Sequence, residues 1–189
     1  MAAMIATADR DTARTTAPAV THQPAEAAAP KAARYVWAGV RLALGWTFLW
    51  AFVDKVFGLG FATPEGKGWL DGGSPTRGFL TGAEGPFAGF YHNLAGTAFA
   101  NWAFMLGLLG IGVALTLGIG MRIAAAAGAL LYVMMWSVAL PPQTNPFLDE
   151  HLIFAAVLAG LALVGAGGTL GFGAYWARLP IVRRLPWLR

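Results

Sequence analysis

The chain has 189 residues, of which 57% are hydrophobic and only 12% charged, with a formal net charge of +4. Soluble domains are about 45–50% apolar and about 25% charged, so a globule of this size cannot hide the surplus and part of it must face lipid. Cysteine is absent, which excludes disulfides, thiolate metal sites, iron–sulfur clusters and a catalytic thiol. The basic residues sit beside hydrophobic runs, where membrane topology explains them and nucleic acid does not.

Residues 1–33 are rich in Ala, Thr and Pro without hydrophobic period, which predicts a disordered cytoplasmic tail. It is not a secretory signal, because Asp9, Arg10, Asp11 and Arg14 fall where an apolar core would be needed. Four apolar stretches follow, to be compared with the roughly 20 helical residues that cross a hydrocarbon core of about 30 Å. The first runs from Tyr35 to Phe57. A continuous run from Phe99 to Leu140 is long enough for two spans and divides at Gly118-Ile119-Gly120-Met121-Arg122, two glycines and a charge that make a tight turn. Pro141-Pro142 ends the third span, and the fourth runs from Leu148 to Gly171. The expected fold is an all-α integral membrane protein. A four-transmembrane-helix bundle fills residues 34–178, with a long external loop, 58–98, between helices 1 and 2. A basic tail, 179–189, completes the chain.

Orientation follows from Lys and Arg. Arg10, Arg14, Lys31, Arg34, Arg122, Arg178, Arg183, Arg184 and Arg189 share one side; Lys55, Lys67 and Arg77 are on the other, offset by Asp54, Glu65, Asp71 and Glu84. The richer side is expected to be cytoplasmic, giving a multi-pass protein of the cell membrane with both ends inside. The 58–98 loop carries Phe61, Trp69, Phe79, Phe87, Phe90 and Tyr91, too many aromatics for a linker. Within it Phe87, Phe90, Tyr91 and Leu94 form one helical stripe, suited to lying on the membrane or capping the bundle. Its many glycines either make turns or leave backbone N–H groups free as anion-binding nests.

Ionisable residues inside spans are costly and each needs a reason. Arg41 and Lys55 are about four helical turns apart on one face, with Phe48 and Phe52 between them. Arg41 either lines a buried site or snorkels to the interface. In the fourth helix, Asp149 or Glu150 can cap the N-terminus. Asp149 aligns with Ile153, Ala156 and Gly160, and His151 with Ala155, Ala159 and Ala162. Such small-residue faces are expected inside the bundle, and the bulkier Glu150–Phe154–Val157–Leu161 face toward lipid. An inward Lys55 should then pair with Asp149. Haem is not expected, since only His92 and His151 could serve and His92 precedes its span. No flavin motif is present. A metal on His92, Asp149, Glu150 and His151 lacks a recognisable ligand spacing, and none is expected.

Arg41-Leu-Ala-Leu-Gly-Trp-Thr-Phe-Leu-Trp-Ala-Phe-Val-Asp-Lys55 resembles the first helix of the DoxX/DoxD family. Gly72-Gly-Ser-Pro-Thr-Arg-Gly-Phe-Leu80 and Asn145-Pro-Phe-Leu-Asp-Glu-His151 are similar to the loop and fourth-helix motifs of its DoxD-type branch, named for the large subunit of thiosulfate:quinone oxidoreductase. The resemblance covers Tyr35 to Arg189. It implies a membrane subunit of a quinone-linked oxidoreductase that passes electrons from a small sulfur oxyanion at the outer face to membrane quinone. The family's enzyme also has a small redox subunit, so the expected partners are a separate subunit of that kind, or none, and a second copy of the chain in a homo-oligomer. The candidate oxyanion contacts are Lys67, Ser74 and Arg77. The candidate quinone contacts are Arg41, Trp46, Phe48, Trp50, Phe52 and Glu150, beside a catalytic group of Lys55, Asp149 and His151, in which His151 would donate protons. The alternative is a non-catalytic membrane anchor or assembly subunit of a redox complex. The topology predicts that a cysteine placed at Ser74 reacts with a membrane-impermeant thiol reagent in intact cells and one at Thr16 does not; the reverse pattern overturns it.

Overall fold

A computed structural model describes residues 31–143 and 145–189. The expected N-terminal tail lies outside the described residues except for Lys31 to Ala33, which form the first turn of α1, Lys31–Phe57. The described residues contain only helices and loops: α2 Arg77–Thr81, α3 Ala88–Leu94, α4 Ala98–Leu117, α5 Met121–Val138, α6 Glu150–Leu163, α7 Gly173–Trp176 and α8 Pro180–Arg184.

Helices α1, α4 and α5 are long and apolar enough to cross a bilayer, with mean hydropathies of 1.5, 1.8 and 1.5. Only 28%, 28% and 33% of these segments is buried inside the protein. Outward side chains such as Leu106, Leu109 and Val113 on α4 are as apolar as the inward ones. A helix that is apolar all round but covered on one side needs an apolar solvent, so the chain is a membrane protein.

Helix α4 packs chiefly on α1, and α5 on α6. Leu44, Phe48, Met105, Leu108, Ile111, Leu115, Leu158 and Leu161 fill the core. The hairpin between α4 and α5 is as tight as the sequence predicts. Gly118 and Gly120 take left-handed φ values of 72° and 56°, and Thr97 caps the start of α4 by accepting from the Ala100 amide.

The fourth apolar stretch departs from expectation. Helix α6 has 14 residues, which is about 21 Å of rise, short of a hydrocarbon core of about 30 Å. It stops because Gly165 turns left-handed and the backbone at Gly167 presses against Gly118. A Cβ on either of those glycines would collide with the other's carbonyl. The buried face of α6 also differs. Ala155, Leu158 and Leu161 point inward, whereas Ile153 is 58% exposed and Ala156 is exposed. The small residues that allow close approach are on α5 instead: a Cβ at Gly128 would lie 2.7 Å from Leu158 Cδ1. A large side chain on α6, Leu158, therefore seats in a hollow on α5, and the buried face takes Ala155 from the expected inner stripe and Leu161 from the bulky one, while Glu150 and Phe154 stay exposed.

The basic 179–189 tail folds back against α5. The Arg122 amide donates to the Arg189 carbonyl at 2.8 Å, the Trp176 indole donates to Leu188 O at 2.6 Å, and Val182 is fully buried.

Arg41 does not snorkel. Its side chain is fully buried, and the guanidinium donates to four backbone carbonyls. Two belong to the last turn of α4, Leu115 and Thr116 (2.9 Å to the latter). Two follow α6, Thr169 at 3.2 Å and Leu170 at 2.8 Å. The orphan carbonyls at the α4 terminus carry the negative end of the helix dipole, so a cation there is favoured. Arg41→Met should therefore lower stability by about 3 kcal/mol or more, because charge-assisted bonds are lost and buried carbonyls are left without donors. The measurement is unfolding in detergent; an unchanged midpoint would show that these bonds contribute nothing net.

Candidate functional site

A cleft of about 1440 Å³ opens between α4 and α5 and is roofed by the connection from α1 to α4. Two buried polar residues shape that roof. Asp54, 1% exposed near the end of α1, accepts from the Thr63 amide at 2.8 Å and the Phe61 amide at 3.4 Å, drawing the start of the connection over the helix end. Asn101, in the first turn of α4, accepts through Oδ1 from Thr76 Oγ1 at 2.7 Å, Ser74 Oγ at 3.0 Å and the Thr76 amide at 3.3 Å. Thr76 Oγ1 in turn accepts from the Gly96 amide at 3.3 Å. This node fixes the Gly72–Arg77 turn to the top of α4, since a buried polar cluster of this kind is stable only when its members are satisfied. Neither residue stands out as a site residue in the sequence. The available signal is a lone Asn one turn inside an apolar span.

Lys55, Lys67, Ser74 and Arg77 all line the cleft. Lys55 Nζ lies 5.9 Å from the centre of the Phe104 ring on α4. The Arg77 guanidinium rests on Gly96, where a Cβ would come within 2.6 Å of Nε. Ser74 supports Arg77 rather than offering a free hydroxyl: it donates to Asn101 and accepts from the Arg77 amide at 3.3 Å. Asp71 is at the same mouth, but the cations form no ion pair with it or any other acid among the described residues. Below the mouth the walls are apolar, with Phe99, Phe104 and Ile111 from α4 and Leu131, Met134 and Met135 from α5.

Of the two roles open to the loop glycines, turn-making accounts for five. The amides of Gly58, Gly60, Gly72, Gly73 and Gly82 all donate to carbonyls within local turns. The α3 stripe caps the bundle at this end: Tyr91 is buried beside Val138, and its hydroxyl meets Ser137 Oγ, while Phe87 and Phe90 remain exposed.

The expected Lys55–Asp149 pair does not form. Asp149 caps α6 by accepting from the His151 and Leu152 amides at 3.1 and 3.4 Å, and its second oxygen binds His151 Nδ1 at 2.7 Å. A carboxylate already aligned with a helix N-terminus and an imidazole has little left to attract a lysine. The His151 ring lies 5.9 Å from that of Tyr132, which meets Phe48 in a tilted contact with centroids 5.2 Å apart. Glu150 is exposed. Trp46 is 62% exposed and Trp50 contacts Phe61 at 5.1 Å, on the outer face of α1, while Phe52 packs on the core. Arg41 belongs to the α4 terminus. None of these lines the cleft. His92 Nε2 is 3.0 Å from Ala83 O. Among the described residues, no three His, Asp or Glu side chains converge as a metal site.

Comparison with protein-family models, with curated proteins and with solved structures finds no match. The cleft geometry itself is testable. Asn101→Leu leaves Ser74 and Thr76 without their acceptor and should cost about 1–3 kcal/mol, with faster proteolysis within residues 72–77. Unchanged proteolysis would mean that the roof is held by other contacts.

Proposed function

We propose that the chain is the membrane subunit of a quinone-linked oxidoreductase of the thiosulfate:quinone type, the reading implied by its resemblance to the DoxX/DoxD family. The observation that supports it is a single cleft that joins a cationic mouth to an apolar wall. An oxyanion suits Lys67 and Arg77 at the mouth, where the planar guanidinium can give two parallel N–H bonds. A quinone fits the lower part in size and chemistry, because pockets for ligands of this kind measure about 300–1,000 Å³ and are mostly apolar. When bound, quinone supplies the two-electron, two-proton acceptor. Phe99 and Phe104 flank the space beside the mouth, and Lys55, held over Phe104, is the side chain available to carry a proton there. His151 is fixed by Asp149 away from this cleft, so its role on this reading is to close the start of α6.

On this reading the end that carries Lys31, Arg34, Arg122, Arg183 and Arg184 is cytoplasmic and the cleft mouth faces outward. The reading is tested by purifying the protein in detergent and extracting its lipid for stoichiometric quinone. A quinone-free preparation that copurifies with another protein favours the anchor subunit instead. In membranes, Arg77→Ala should raise the apparent Michaelis constant for thiosulfate about tenfold with protein level unchanged, the size of one lost charge-assisted bond. An unchanged constant removes Arg77 from the site. His151→Gln should keep both fold and turnover; lost turnover in a well-folded protein would return His151 to the reaction.

A further inference from the structure

We propose that a groove on α5, at the opposite end from the cleft mouth, binds one anionic phospholipid, with an acyl chain along the helix and the phosphate against Arg122. The groove has a volume of about 440 Å³ and is lined by Arg122, Ile123, Ala126, Ala127, Leu130 and Trp187. Ala126 and Ala127 are exposed, and their short side chains leave a channel between the longer Ile123 and Leu130. Its rim is built rather than incidental. The Arg122 amide donates to Arg189 O at 2.8 Å and its guanidinium to Pro186 O at 3.3 Å, which brings Trp187 over the channel. Trp187 itself is 57% exposed, an amphipathic ring at a site that reads as the membrane–water boundary.

Charge identifies the occupant. Arg122 lines the groove, Arg189 meets it through the Arg122 amide, and Arg183 and Arg184 are on α8, which packs on the Pro186–Leu188 turn at this rim; all four are exposed. The acidic side chains among the described residues, Asp54, Glu65, Asp71, Glu84, Asp149 and Glu150, are at the other end of the bundle. Arg122 forms no ion pair among the described residues. Unneutralised cations beside an apolar channel at a bilayer surface match a ligand with an anionic head and an aliphatic tail. A free phosphate would leave the channel empty, and a zwitterionic lipid would place its own cation among the arginines.

The test is native mass spectrometry of the full chain in detergent, titrated with phosphatidylglycerol or with phosphatidylcholine of the same acyl chains. Phosphatidylglycerol should be retained about fivefold better, the scale of one interfacial arginine. Arg183→Gln with Arg184→Gln, which leaves the Arg122 contacts to the rim in place, should reduce that preference. Ala126→Trp, at an exposed position, should reduce retention of both lipids without moving the unfolding midpoint. Equal retention of the two lipids overturns the proposal. So does unaltered binding in Ala126→Trp, displacement of the lipid by millimolar inorganic phosphate, or a protein dimer that Ala126→Trp dissociates.

Discussion

The buried guanidinium of Arg41 is the contact on which the arrangement of helices depends. A charge buried among apolar helices is tolerated when polar groups surround it, and here four carbonyls from two separate segments converge on the two terminal nitrogens, leaving Nε as the one guanidinium nitrogen without an acceptor among the described residues. Two of those segments would otherwise be hard to bury. The end of α4 presents carbonyls with no partner in the helix, and the chain after α6 runs irregularly beside them. Leu170 adopts a left-handed φ of 51° there, a conformation that costs a branched residue about 1–3 kcal/mol and persists where surrounding bonds over-determine it. Its carbonyl bond to Arg41 is one of them.

The shortness of α6 follows from the same centre. To bring Thr169 and Leu170 to the guanidinium, the chain must leave the helix at Gly165 and pass Gly167 against Gly118. The α1–α4 and α5–α6 pairs are thereby clamped together at the end where Arg41 and the Gly118–Gly120 turn lie. At the far end α4 and α5 have no comparable bond, and the cleft opens between them. Its roof is attached separately, through Asp54 to the end of α1 and through Asn101 to the start of α4. The result is a cleft whose apolar wall belongs to two helices, with Lys55 from the end of α1 and Lys67 and Arg77 from a connection tied down at both edges. Helix-borne walls hold their shape, while the roof can admit a ligand by breaking a few side-chain bonds.

Much of this was legible in the sequence, and the reason is physical. Composition and hydropathy report how a segment partitions between water and lipid, and that property is local, so the apolar stretches, the Gly118–Gly120 turn and the stop at Pro141-Pro142 could be read directly. That Lys67, Ser74 and Arg77 share one aromatic-rich loop is also a local feature, and the structure brings all three, with Lys55, to the lining of one cleft. What helical periodicity could not supply was the partner of each face. Counting turns put Asp149 opposite Lys55, but the nearest unsatisfied groups to Asp149 were its own helix amides and His151. Small-residue stripes marked α6 for burial, whereas the hollow was on α5 at Gly128, because close packing needs a small residue on only one side of a contact. The role of Arg41 was likewise undetermined, since its acceptors are 74 to 129 residues away in sequence and are backbone carbonyls that every residue carries. The sequence by itself therefore determined the solvent of each segment. Which side chains share a site, and that a fourth apolar stretch would end short of a span, were decided only when the tertiary structure brought distant backbone groups around one buried charge.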